Sequence, residues 1–130
     1  MSLELINPED LLTPLEFTHV VVATGTRLVF IAGQVAEDRH GALVGVNDME
    51  TQSRQAFANV GRALAAAGAR PDQVTKITIF VARFSRDELP AIEAGRVALF
   101  GEHKPADSLV GVAALSRPEY LIEVDAVAVA

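Results

Sequence analysis

Short bursts of alternating apolar and polar residues fill most of the chain, and twice they give way to a helical repeat. Phe17–Ala23 and Leu28–Gly33 are apolar and β-rich, and they flank Thr24-Gly25-Thr26. That pattern predicts a β-hairpin. Glu37–Gly41 is polar and ends in glycine, a turn, and Ala42–Val46 reads as a third short strand. Asn47 or Asp48 can then cap a helix, with Glu50 three residues after Asn47. Ala56, Val60, Ala63, Leu64 and Ala67 form one apolar stripe along it, while Gln52, Arg54, Gln55, Asn59 and Arg62 fall mostly on the other face. Gly68 supplies the stop and Pro71 follows.

Val74–Ala82 alternates cleanly, with Ile77, Ile79 and Val81 on one face. A second helix runs to Phe100-Gly101. Ser85 and Glu88 have capping-box spacing, but that start would place Pro90 at the fifth helical position, where its missing N–H costs a bond. A start at Asp87 is therefore preferred. The apolar face of this helix, Leu89, Ile92, Leu99 and Phe100, is broken by Arg96. Leu109–Leu115 and Tyr120–Val129 are the last strands. In the final one Ile122, Val124, Ala126 and Ala128 share a face, and Leu121, Glu123, Asp125, Val127 and Val129 share the other.

This order gives a single α+β domain over residues 1–130, with residues 1–13 as an N-terminal extension. Two helices cannot cover both faces of a mixed five- to six-stranded sheet, so they should pack on one. The uncovered face keeps Leu121, Val127 and Val129. An apolar sheet face of that kind predicts self-association, sheets inward.

Composition narrows the chemistry. Half of the 130 residues are hydrophobic, enough for a core without staples. Cysteine is absent, which removes disulfides, zinc thiolates, iron–sulfur clusters and a thiol nucleophile together. Seventeen acidic residues against eleven basic ones give a net charge of −6, and the nine arginines are scattered. Both features argue against a nucleic-acid partner. No apolar run could span a bilayer, and the first residues do not read as a signal peptide. The expected location is cytoplasmic, with no membrane partner.

The candidate chemistry is carboxylate chemistry. Glu123 and Asp125, two apart on one strand, project from the same face about 7 Å apart. Asp107 stands at the start of the preceding strand. Edge carboxylates commonly only solvate a surface or pair with arginine. On a largely apolar strand face, desolvation would instead fit them for acid–base work in an intersubunit cleft. The histidines lack ligand spacing: His40 in a turn and His103 in a loop are read as solvated, and His19 as a packed or interface residue. No metal or cofactor is expected. Gly33-Gln34 ends a strand, where a glycine makes either a simple bulge or room for a close approach. Arg96 is read as bridging to a carboxylate or facing a cleft.

Several separated segments resemble the RidA/YjgF family, also called the endoribonuclease L-PSP family. They are Ile31-Ala32-Gly33-Gln34-Val35, the helix from Gln52 through Asn59 into Leu64–Ala69, and the stretch from Pro105 through Val110, Val112, Leu115 and Pro118 to Ile122–Ala128. The resemblance runs from about Pro14 to Ala128. It implies a chorismate-mutase-like homotrimer with sheets facing the centre and three intersubunit clefts. It also implies hydrolysis of reactive enamines and imines, made by pyridoxal-phosphate enzymes, to a 2-keto acid and ammonia. Carried over by position, Glu123 matches the water-positioning glutamate. Phe17 stands where the family has a tyrosine, Ala32 where it has a serine before Gly33, and Glu93 where many members have asparagine. Asp107 stands where the family has the arginine that holds the substrate carboxylate.

That last change inverts a charge. An aspartate facing a substrate carboxylate in a partly dry cleft costs several kcal/mol, on the order of a like-charge contact in an interface. The expectation is therefore a RidA-like hydrolase whose small-molecule ligand is neutral or cationic. Arg96 or Arg117 is the candidate for a substitute positive charge. Two other readings stand beside it: a trimer that binds a small molecule without turnover, and an L-PSP-type ribonuclease, which the charge balance disfavours.

Overall fold

The computed structural model describes residues 2–130, and Met1 lies outside them. The order is β1 (Ser2–Ile6), β2 (Val20–Thr24), β3 (Leu28–Val35), α1 (Met49–Ala66), β4 (Val74–Ala82), α2 (Leu89–Phe100), β5 (Ala106–Val112) and β6 (Ile122–Val129). Four strands form a mixed sheet in the order β3-β6-β4-β5, and β1 and β2 form a separate antiparallel pair. Among the described residues only β4 and β5 run parallel, as the α2 crossover between them requires.

Both helices cover one face of the four-stranded sheet. Phe57, Val60 and Leu64 of α1 are fully buried, together with Ile77 and Val81 of β4 and Ile122 and Val124 of β6. This is the face that the alternation in β4 and β6 marks as apolar. Helix packing is close at Gly95, where an added Cβ would fall 2.3 Å from Ser53 Oγ and 2.6 Å from its carbonyl carbon. Ser53 Oγ donates to the Ile92 carbonyl, 2.8 Å away. Asp48 caps α1 by accepting from Thr51 N at 3.1 Å and Thr51 Oγ1 at 2.8 Å. Those bonds hold its carboxyl below the usual range. Gly68, at φ +72°, ends the helix as expected.

Several expectations need correction. The β2–β3 hairpin does not form. Arg27 exchanges backbone hydrogen bonds with Ala130, which commits β3 to β6 from its first residue and leaves β2 to β1. The segment read as an N-terminal extension thus supplies a strand. Ala42–Val46 is not a strand. It folds back on Ala36–Asp38 through one bridge, Glu37 to Leu43, and positive φ at Gly45 and Asn47 breaks its extension. The strand placed at Leu109–Leu115 begins at Ala106 and ends at Val112, because β4, its only neighbour, ends at Ala82. The Ser85/Glu88 box set aside above does form. It caps a one-turn 3₁₀ segment, Arg86–Glu88, after which Pro90 sits in the first turn of α2 and lacks no bond.

Candidate functional site

The sequence-predicted residues divide between the two faces of the sheet. Asp107 pairs in register with the buried Ile77, so its side chain is on the helix side. Glu123 follows buried Ile122 and pairs with Phe80, so it is on the open side. Within one chain the sheet separates them.

On the helix side, Asp107 opens into a cavity of about 280 Å3 between β5, α2 and the segment before β2. Its walls are apolar: Phe17, Ile79, Leu89, Ile92 and Leu109. The charged groups in it are Glu16, Glu93, Arg96 and Asp107. The Leu15–Thr18 segment is tied over β5 by Thr18 N to the Pro105 carbonyl, by Thr18 Oγ1 to the Lys104 carbonyl, and by Lys104 Nζ to the Leu15 carbonyl. That strap sets Glu16 and Phe17 beside Asp107.

Arg96 accounts for the break in the α2 apolar stripe. Its side chain is 3% exposed. Nε donates to both Glu93 oxygens, at 3.0 and 2.9 Å, and Nη2 donates to Oε1. Nη1 is sealed from solvent and has no partner among the described residues. Asp107 takes part in none of the ion pairs among the described residues. Burial pushes its carboxyl up to about 6; Arg96 and Lys76 pull it down, and Glu93 and Glu16 push it further up.

On the open side, Gly33 and Glu123 meet. An added Cβ on Gly33 would lie 2.1 Å from Glu123 Oε2. The glycine therefore serves a close approach, and its partner is the Glu123 carboxylate. Ala32 is exposed beside it. Asp125, on the same face, accepts from Thr78 N at 3.1 Å and so has a structural partner. Phe30 remains 73% exposed on this face, with Leu28 at 65% and Val110 at 39%.

Two positioning residues escaped the sequence reading. Gln52, placed on the polar face of α1, is fully buried. It donates to the Gly45 and Glu119 carbonyls at 2.9 and 3.0 Å and accepts from Leu121 N at 2.9 Å, fixing the entry to β6 two residues before Glu123. Asn59 donates to the Val35 and Glu37 carbonyls at 3.0 and 2.9 Å and so fixes the exit of β3 after Gly33. The missed signal was arithmetic: Gln52 lies four residues before Ala56, on the apolar stripe itself. His103, read as solvated, packs edge-on against Phe100 with Nε2 2.8 Å from the Val74 carbonyl. Arg117 is at the surface, 3.8 Å from Glu119, and does not line the cavity.

Residues 11–130 match the Endoribonuclease L-PSP family. A RutC family protein from Synechocystis is 31% identical over 99% of this chain and 98% of its own. A 2-iminobutanoate/2-iminopropanoate deaminase from Salmonella typhimurium is 33% identical, over 78% of this chain and 79% of its own. Among solved structures, a protein of unknown function of the conserved Rid protein family from Yersinia pestis superposes with a TM-score of 0.94. It is 39% identical, and the match covers 100% of both chains. The sheet with two helices on one face is therefore the RidA-type α+β fold, and the chain belongs to the RidA/YjgF, or endoribonuclease L-PSP, family.

Proposed function

We propose that the chain is a RidA-like hydrolase of small enamines or imines that lack a carboxylate, working in clefts between copies of itself. The observation that carries this reading is the cavity around Asp107. It has apolar walls and an unpaired, desolvated carboxylate at the position where the family resemblance puts an arginine. A 2-imino acid would set its carboxylate against Asp107, and that repulsion excludes it. Glu123 handles water. Since the sheet separates Glu123 from Asp107, a second copy must bring its open face to the first copy's cavity. The exposed Phe30 and Leu28 of that face favour such an assembly, in a homotrimer.

The test follows ammonia release from imines generated in situ. Wild type should leave 2-iminopropanoate at its uncatalysed rate, and Asp107→Arg should gain hydrolysis of it. Wild type should accelerate hydrolysis of a carboxylate-free aldimine, and Glu123→Ala should abolish that. Turnover of 2-iminopropanoate by wild type would overturn the charge argument, and an active Glu123→Ala would remove the water-handling role. A binding protein without turnover is the second reading, favoured by Phe17 and Ala32, which offer no hydroxyl.

A further inference from the structure

Resting on that reading, the charge of the ligand can be assigned. Glu16, Glu93 and Asp107 set three carboxylates around the cavity against one guanidinium. That guanidinium has nothing to offer. Two of its nitrogens bind Glu93, and the third is sealed from solvent without a partner. Nη1, the nitrogen left without a partner, is out of a ligand carboxylate's reach while it stays sealed, and Arg117 is not in the wall. A neutral ligand without a donor leaves Asp107 desolvated and unpaired, a state that costs free energy. A neutral donor relieves it in part, and a positively charged donor relieves it most, because its charge adds to the hydrogen bond.

We propose that the cavity takes a cation: an iminium or primary ammonium head set against Asp107, with a short apolar tail against Phe17, Ile79, Leu89 and Ile92. Arg96 acts as a spacer, neutralising Glu93 so that the head is received by Asp107, with Glu16 of the strap beside it. The iminium is also the reactive form of an imine. Water oxygen bonds to its carbon as the C=N π pair moves to nitrogen. A proton then passes from the added oxygen to nitrogen, the C–N bond breaks as ammonia leaves, and the oxygen's remaining proton passes to that ammonia, giving ammonium and a carbonyl product. Charge is +1 before and after, so the cavity holds a cation throughout.

The experiment uses probes that cannot react: butylammonium, butan-1-ol and butanoate, titrated into the assembled protein and followed by NMR shifts or calorimetry. Butylammonium should bind about tenfold or more tighter than butan-1-ol, and butanoate more weakly than either. Asp107→Asn, nearly isosteric, should remove most of the preference for butylammonium over butan-1-ol and change the alcohol's affinity little. The charged groups that act on Asp107 are Glu93 and Arg96 on α2, Glu16 on the strap and, from the neighbouring position on β4, Lys76. Ionisation of Asp107 should therefore strengthen butylammonium binding between pH 5 and pH 7.5, roughly the span on either side of its midpoint. Butanoate binding as tightly as butylammonium, an Asp107→Asn variant with unchanged preference, or no binding of any probe would each overturn the assignment. Ammonium preference without aldimine turnover would instead sink the hydrolase reading, and turnover without ammonium preference would sink only the cation.

Discussion

The two faces of the four-stranded sheet are built from the same strands and treat charge and apolar surface in opposite ways. On the helix side, apolar residues are sealed, and the charges admitted stand at its margin, Arg96 paired with Glu93 and Asp107 without an ion pair among the described residues. On the open side, large apolar residues stand in solvent and Glu123 lies against a glycine. One face spends its residues on stability. The other retains surface that gains nothing until something covers it. A residue's contribution here depends on its face before its type.

The sharpest way to break this comparison is a matched pair of phenylalanines. Phe57→Ala, on the sealed face, should cost about 3–5 kcal/mol in chemical denaturation. Phe30→Ala should cost the isolated chain almost nothing, and its effect should appear in sedimentation, as loss of assembly. An equal stability loss from both would mean that the open face is part of each chain's own core.

Glycines sharpen the contrast next. Gly95→Ala drives a Cβ into the backbone of Ser53, which cannot yield, and should cost about 1–3 kcal/mol. Gly33→Ala meets only the movable end of Glu123. It should leave the melting temperature nearly unchanged and reduce aldimine turnover, because the carboxylate is displaced. Normal turnover in Gly33→Ala would separate the glycine from the chemistry.

The smallest effect is electrostatic. Asp107 titrates near 6 in the fold against 3.8 unfolded. Between those values the folded chain holds a proton that the unfolded chain has released, so stability falls as pH rises through the window and then levels off. Asp107→Asn should be close to neutral at low pH and stabilise by about 1 kcal/mol at pH 8, since partial exposure screens the full shift. A flat difference across pH would mean that the carboxylate is not desolvated.

Much of this was legible in the sequence where a periodic pattern and a boundary residue agreed. β4 was placed to the residue, α1 was bracketed by Asp48 and Gly68, and the alternation in β6 correctly put Glu123 opposite Ile122. The hairpin failed because apolar runs show which segments are strands but not their partners. β2 found a strand in a segment read as a tail. The start of β5 was hidden because Asp107 and Ser108 interrupt the apolar signal at the very residue that matters. The separation of Asp107 from Glu123 needed the register of β5 on β4, which strand boundaries wrong by three residues could not supply.

The strap that carries Phe17 lies outside the main hydrophobic core, whose residues begin at Val29. It closes the cavity through backbone carbonyls and one lysine, contacts largely indifferent to the side chains at positions 16 and 17. At position 17 ligand range is thus separate from fold stability, whereas Ile79 and Ile92 serve both. Lineages could exchange the residue at position 17 freely and explore new molecules without risking the scaffold that holds them.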